Sequence, residues 1–137
     1  MKFLKNLGII ALAMLAFVAA PIAMATPASA VQWKALAVNQ NGNSWYSYNY
    51  NSESGAKSSA ISHCEERWAY DCNQSSSVPM SWTLITANCY NDNGEWYYAT
   101  GGSRNGVRGA EAAAVENAND NSPYWYESGD CDAYVVK

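Results

Sequence analysis

The chain has 137 residues, a formal net charge of −4 and charged side chains at only 15% of its positions. A chain of this length forms one domain with a modest core, which excludes a second catalytic domain. Its eight lysines and arginines are too few and too scattered for nucleic-acid binding, because counterion release needs clustered basic side chains.

The first 30 residues have the three parts of a secretory signal peptide. Two lysines form the basic start, an apolar run covers residues 7–20, and small residues at 28–30 precede the cleavage position. A second small-residue site would start the mature chain at Thr26 instead, and a retained membrane anchor is the other alternative. Prolines near the end of the segment argue against an anchor. We therefore expect residues 1–30 to be a cleaved signal peptide and residues 31–137 to be a single domain, free of the membrane, in the periplasm or outside the cell.

The mature part contains all four cysteines, Cys64, Cys72, Cys89 and Cys131. An even count in a small exported chain predicts two disulfides. We favour the pairing of Cys64 with Cys72, which closes a small loop after a helix, and of Cys89 with Cys131; the two other pairings stay open. A zinc site of these thiols with His63 is the alternative, but no C-x-x-C pair supports it. We expect no metal and no cofactor.

The first elements of the mature part are two strands and a helix. Residues 33–38 and 45–50 are rich in apolar and aromatic side chains, and the Asn-Gly turn between them predicts a hairpin. Serine and glutamate at 52–54 can cap a helix, along which Ala56, Ala60 and Cys64 recur on one face.

The same order returns about 50 residues later. Strands are predicted at 83–90 and 96–100 around a second Asn-Gly turn, followed by a helix whose apolar stripe is Val107, Ala110, Ala114 and Ala118. A short closing strand is expected at 133–136.

We match the two copies by their turns and by their aromatic pairs, Trp45-Tyr46 with Trp96-Tyr97. The prediction is an α+β fold in which an antiparallel sheet and two short helices arise from a duplicated strand-strand-helix unit, with halves of about 33–72 and 82–131. Residues 73–78 and 117–123 are rich in Asn and Ser, and we expect them to be exposed loops.

A set of residues in the first copy resembles a known family. The set comprises Trp33-Lys34-Ala35-Leu36-Ala37, Gly42, Trp45, Ala56, Ala60, Cys64 and Cys72. The pattern resembles the secreted bacterial family called domain of unknown function 4189. The resemblance implies export, paired cysteines and a small α+β domain, and it brings no reaction or catalytic residue. The second copy departs from the pattern, since Cys89 comes late in its strand and the second helix has no terminal cysteine. That departure supports pairing Cys89 with Cys131.

Aromatic side chains are the feature that indicates binding. Alternation along the strands places Tyr46, Tyr48 and Tyr50 on one face, and Trp96 with Tyr98 on another. A further group, Tyr124, Trp125 and Tyr126, is expected in an exposed loop. Such rings can stack on sugars or anchor a protein partner. Alternatively, they fill the core beneath alanine-rich helices.

Candidate catalytic groups each have a simpler structural interpretation. His63 adjoins a cysteine that we assign to a disulfide, and the residues around Ser103 only approximate the nucleophile elbow of serine hydrolases. The carboxylate pairs Asp130 with Asp132 and Glu65 with Glu66 are interpreted as solvated, and residues 91–95 as a hairpin turn rather than a calcium loop. We predict no catalytic residue.

The sequence thus favours an exported, non-enzymatic protein-interaction module with an inhibitor, immunity-type or effector role. Its expected partner is another envelope or extracellular protein. The alternatives are a glycan or cell-wall binding module that uses surface Tyr and Trp, and a small carboxylate-dependent hydrolase.

Overall fold

The computed structural model describes residues 30–69 and 71–137, so the signal peptide predicted over 1–30 and its alternative cleavage site lie outside the described residues, apart from Ala30. The elements are β1 Trp33–Val38, β2 Ser44–Tyr50, α1 Glu53–Trp68, β3 Gln74–Pro79, β4 Thr83–Tyr90, β5 Trp96–Ser103, α2 Val107–Asn121 and β6 Cys131–Val136. Neither helix in this part of the chain is long and apolar enough to cross a membrane. The α+β class and both favoured disulfides are confirmed.

The elements form two halves with the same order of strands. The N-terminal half, residues 33–79, contains the sheet β2-β1-β3, and the C-terminal half, residues 83–136, contains the sheet β5-β4-β6. Every neighbouring pair of strands is antiparallel. The antiparallel sheet of the prediction is therefore divided into two sheets of three strands each, and residues 31–137 together form one compact unit.

Two segments that the sequence indicated as loops belong to regular elements. Residues 74–79 form β3, which pairs with β1 along its whole length, from Trp33 opposite Pro79 to Val38 opposite Gln74. The serines of β3 show no apolar alternation, and the strand is defined instead by its ladder to β1. Helix α2 continues to Asn121, so only the last residues of the predicted loop 117–123 are irregular. Likewise β6 begins at Cys131, two residues earlier than expected.

Successive side chains of the central strands point to different layers. In β1, Ala35 and Ala37 pack against α1, while Leu36 points the other way and meets Leu84 of β4. In β4, Ile85 packs against α2. The order of layers is therefore α1, first sheet, second sheet, α2, with a small apolar seam between the sheets around Leu36, Val78 and Leu84.

Small residues let each helix lie close to its sheet. Both helices bury residues at intervals of four positions: Ala56, Ala60, Cys64, Ala110, Ala114 and Ala118. A Cβ added at Gly101 of β5 would lie 2.1 Å from the carbonyl oxygen of Ala110, so glycine is required there. Each alanine buries little apolar area, and the close contact between helix and sheet compensates for this.

Each disulfide lies within one half. The bond between Cys64 and Cys72 joins the last turns of α1 to the residues before β3, with Cα atoms 6.1 Å apart. The bond between Cys89 and Cys131 joins residues that face each other in β4 and β6, with Cα atoms 3.9 Å apart. All four sulfurs are thereby used, and the zinc alternative is wrong.

Candidate functional site

The two hairpin turns have the same hydrogen bonds. In the first, the side-chain oxygen of Asn39 accepts from the backbone N–H groups of Asn41 and Asn43, each at 3.0 Å. In the second, the side-chain oxygen of Asn91 accepts from the backbone N–H groups at 93 and 95, at 3.1 and 3.0 Å. Glycine with positive φ, 83° at Gly42 and 80° at Gly94, completes both turns. The turns therefore provide a reliable alignment of the two halves.

This alignment corrects the one made from the aromatic residues. The pair of facing residues before the turn is Val38 with Ser44 in the first half and Tyr90 with Trp96 in the second. Trp96 therefore corresponds to Ser44, and the sequence match of Trp45-Tyr46 with Trp96-Tyr97 was wrong by one residue. The first half has the small residue Ser44 where the second half has Trp96, and it has the fully buried Val38 where the second half has Tyr90.

Four exposed aromatic side chains surround the second turn, and we call this set the aromatic tip. The exposed fractions are 59% for Tyr90, 49% for Trp96, 40% for Tyr124 and 69% for Trp125. A core supplement would be buried, so these four rings are not explained by core filling. Three of them were predicted as binding residues.

Two clefts flank the turn at the tip. One, of about 390 Å³, has Trp96 and Tyr124 in its lining together with Gln40 and Glu95. The other, of about 260 Å³, is lined by Trp125 and by polar residues of the turn and the loop after α2: Asn91, Asp92, Asn93, Glu127 and Asp130. The tip therefore combines flat apolar surface with carboxylate and amide groups.

Hydrogen bonds hold the loop that carries Tyr124 and Trp125. The side-chain amide of Asn119 donates to the carbonyl oxygen of Tyr126 at 2.9 Å and accepts from its N–H at 2.7 Å. The side-chain NH₂ of Asn91 donates to the carbonyl oxygen of Trp125 at 3.0 Å. The carboxylate of Asp130 accepts from the N–H of Glu127 at 2.7 Å. The rings are thus presented by an ordered loop, which lowers the entropy lost on binding.

Tyr126 is not a surface residue, contrary to the prediction for the loop. It is only 1% exposed and belongs to the core of the C-terminal half with Tyr97. Burial, and after it the nearby charge of Glu95, raises the pKa of Tyr126 to about 12. Its ring anchors the loop and leaves Tyr124 and Trp125 outside.

The predicted tyrosine row of β2 is broken by a bulge. The pairing of β1 with β2 skips one residue between Ser47 and Tyr50, where Asn49 has φ of 62°. Tyr46 and Tyr48 stack with ring centroids 5.1 Å apart, whereas Tyr50 packs on the α1 side with Trp45. Tyr50 therefore does not share a face with Tyr46 and Tyr48, and all three lie in the N-terminal half, apart from the aromatic tip.

Trp96 and Tyr98 do share a face, with ring centroids 5.4 Å apart. Tyr98, however, is partly covered by the first turn, because a Cβ added at Gly42 would lie 2.9 Å from its ring. The hydroxyl of Tyr134, whose ring contacts that of Tyr98, donates to the carbonyl oxygen of Gly42 at 2.9 Å. Tyr98 and Tyr134 thus help to join the two halves.

The candidate catalytic groups are not assembled into one site. His63 stacks on Trp45 and lies 3.8 Å from the carboxylate of Glu66 on the surface of α1, while its neighbour Cys64 is in a disulfide, so no Cys–His dyad exists. The Ser103 hydroxyl accepts from the N–H of Asn105 in the turn before α2.

The carboxylates are similarly dispersed. Asp130 lines the cleft beside Trp125, whereas Asp132 lines a different cleft of about 280 Å³ with Arg108 and Glu111. Glu65 is exposed on α1. Within the described residues, no group of three or more His, Cys, Asp or Glu is placed to hold a metal ion.

Sequence reasoning missed Tyr90 as a member of the tip. It was assigned to a strand, and its exposure follows from its place opposite Trp96 at the last pair before the turn. An alignment of the two turns points to it, because Tyr90 and Trp96 occupy the positions that match the smaller residues Val38 and Ser44.

Comparison with protein-family models, with curated proteins and with solved structures gives no match for this chain. The resemblance to domain of unknown function 4189 therefore depends only on the residues of the first copy that match its pattern.

Proposed function

We propose that this chain is an exported, non-enzymatic protein-interaction module that binds an envelope or extracellular protein through the aromatic tip. Two disulfides suit an oxidising compartment, and the signal-like residues 1–30 supply a route to it. An inhibitor, immunity-type or effector role fits such a module, as does the proposed relation to domain of unknown function 4189. In this proposal the repeated unit is the scaffold, and the aromatic tip is a feature of its second copy alone.

The observation that carries the proposal is the difference between equivalent positions of the two halves. The first turn is flanked by Val38 and Ser44 and makes hydrogen bonds to Tyr98 and Tyr134 of the C-terminal half. The second is flanked by Tyr90 and Trp96, which are 59% and 49% exposed. Exposed Trp and Tyr in one ordered patch are typical of residues that dominate binding energy at protein interfaces.

Affinity capture with paired variants tests the proposal. The exported protein, with both disulfides intact, is immobilised and exposed to envelope and culture-fluid fractions, and bound proteins are identified by mass spectrometry. The double variant Trp96→Ala with Trp125→Ala should lose the partner that the unmodified protein retains. Tyr48→Ala, which removes an equally exposed ring from the N-terminal half, should retain it. Loss of the partner with Tyr48→Ala alone would transfer the function to the other half.

Glycan binding is the second candidate, and the cleft between Trp96 and Tyr124 favours it. Two rings with a neighbouring carboxylate, that of Glu95, can stack on a sugar ring and accept from its hydroxyls. Retention on immobilised peptidoglycan or chitin that is lost with Trp96→Ala would support this function over a protein partner.

A further inference from the structure

We infer that the partner of the aromatic tip presents a basic segment, whose arginine or lysine side chains lie against the exposed rings and pair with the carboxylates between them. This inference rests on the proposed function and specifies the chemistry of the partner.

The charge of the tip has one sign. The turn and the loop that form it, residues 90–96 and 122–130, contain four carboxylates and no lysine or arginine: Asp92, Glu95, Glu127 and Asp130. The six basic side chains of the mature part lie elsewhere in the sequence. Arg108 lines a separate cleft with Ser128 and Gly129 of the loop, whereas the two clefts beside Trp96 and Trp125 are lined by carboxylates and by no basic side chain. A partner that enters these two clefts therefore meets negative side-chain charge, and complementarity favours a positive surface.

These carboxylates are not neutralised within the protein. The side chains of Glu95 and Asp130 each accept one neutral N–H donor, from the side chain of Asn91 and the backbone of Glu127. Across the described residues the ion pair that the structure shows is His63 with Glu66, on α1. The tip thus retains its capacity to accept charge-assisted hydrogen bonds.

Each of the two clefts at the turn is lined by an aromatic residue and at least one carboxylate residue. Trp96 adjoins Glu95 in one cleft, and Trp125 adjoins Asp92 and Glu127 in the other. A guanidinium group stacks on an aromatic face and binds a carboxylate through two parallel N–H groups, so it uses both features at once. Lysine can bind the same rings and carboxylates, but as a point charge.

A neutral glycan would use the rings and could donate hydroxyl groups to a carboxylate such as Glu95, but it would give the four clustered charges no charged partner. The whole chain is also acidic, with a formal net charge of −4, which steers a basic partner toward it and repels acidic ones. Both observations favour the basic segment.

Titration followed by NMR tests the inference on the exported protein. The probe is a synthetic dodecapeptide in which arginine alternates with serine; the matched probe has glutamate in place of arginine, and a hexamer of N-acetylglucosamine represents a glycan. The six indole N–H signals report on each tryptophan separately. We expect the arginine peptide to shift the signals of Trp96 and Trp125 and to leave that of Trp33 unchanged, and the glutamate peptide to shift none.

Paired charge variants test whether the carboxylates of the tip contribute to peptide binding. Asp92→Asn with Glu127→Gln removes two charges from side chains to which the structure gives no hydrogen bond, and should weaken arginine-peptide binding roughly tenfold. Glu65→Gln with Glu116→Gln removes the same charge from exposed helix positions and should change the affinity less than about twofold.

Equal affinity of both charge variants for the arginine peptide would overturn the inference, as would shifts of Trp96 and Trp125 with the glycan alone. The proposed function is judged separately by partner capture. A partner that is lost with Trp96→Ala and Trp125→Ala but retained by Asp92→Asn with Glu127→Gln would leave the interaction module in place and eliminate the basic segment.

Discussion

The side-chain amide of Gln40 pairs with the backbone of Tyr98 in both directions. Its NH₂ donates to the Tyr98 carbonyl oxygen at 2.8 Å, and its oxygen accepts from the Tyr98 N–H at 2.9 Å. Because Tyr98 lies in β5, an edge strand, the amide takes the place of a neighbouring peptide group. The first turn thereby attaches the N-terminal half to the C-terminal half.

Replacing Gln40 should weaken this attachment. Gln40→Ala leaves two backbone groups of Tyr98 without their partners, and we expect the free energy of unfolding to fall by about 1–2 kcal/mol. Urea unfolding measures the change, and faster hydrogen exchange at the Tyr98 amide localises it. Asp92→Ala, at the matching position of the exposed second turn, is the control and should change the stability by less than about 0.5 kcal/mol. Equal effects of the two variants would contradict a joining role for Gln40.

The two turn asparagines should differ in their contribution to stability. Asn91 accepts two turn N–H groups, and its NH₂ also donates to Glu95 and Trp125. Asn39 accepts the same two groups, but its buried NH₂ has no partner within the described residues. We expect Asn91→Ala to cost about 1–2 kcal/mol more than Asn39→Ala, because it also releases the loop of the tip. Thermal unfolding of both variants provides the measurement, and an equal or larger loss with Asn39→Ala would refute it.

Removing the disulfides should have unequal effects, because the loops that they close differ in length. The cysteines are 8 residues apart in one disulfide and 42 in the other. Loop-closure entropy predicts a loss of about 2.5 kcal/mol for Cys64→Ala with Cys72→Ala and about 4 kcal/mol for Cys89→Ala with Cys131→Ala. All four side chains are buried, so their packing losses are comparable. Chemical denaturation of the two double variants tests the order, and the reverse order would contradict the entropic explanation.

Stability should decline at alkaline pH, in part because of Tyr126. Its pKa is raised from 10.0 to about 12 in the folded protein. Since the unfolded state loses this proton first, the contribution is fully present below about pH 10 and is lost as the pH rises to about 12. Tyr126→Phe keeps the ring and should make this decline shallower, with little change at pH 7. Denaturant midpoints measured at pH 7, 10 and 11 test the prediction; parallel curves for the two proteins would contradict it.

Local signals in the sequence were sufficient for most elements. The Asn-Gly turns located both hairpins, and alanines at intervals of four residues located the buried faces of both helices. Cysteine spacing favoured the pairing that the structure has, although the two other pairings stayed open. Strand β3 was missed because its serines show no apolar alternation, and its conformation depends on pairing with β1.

The site was predictable only in part. Trp125 and Tyr126 are adjacent in the sequence, yet one is 69% exposed and the other 1%, because Asn119 fixes the backbone of the loop that carries them. That contact joins residues from different elements and leaves no local signal. Tyr50 lies on the face opposite to the predicted one for a similar reason. Strict alternation along a strand does not account for the extra residue that a bulge inserts.

The confinement of each disulfide to one half has a consequence for the covalent structure of the molecule. Between β3 and β4 the chain crosses from one half to the other through residues 80–82. A single cut there would yield two separate polypeptides, each closed by its own disulfide. Only noncovalent contacts, the apolar seam and the pairing of Gln40 with Tyr98 among them, would then keep the two pieces together.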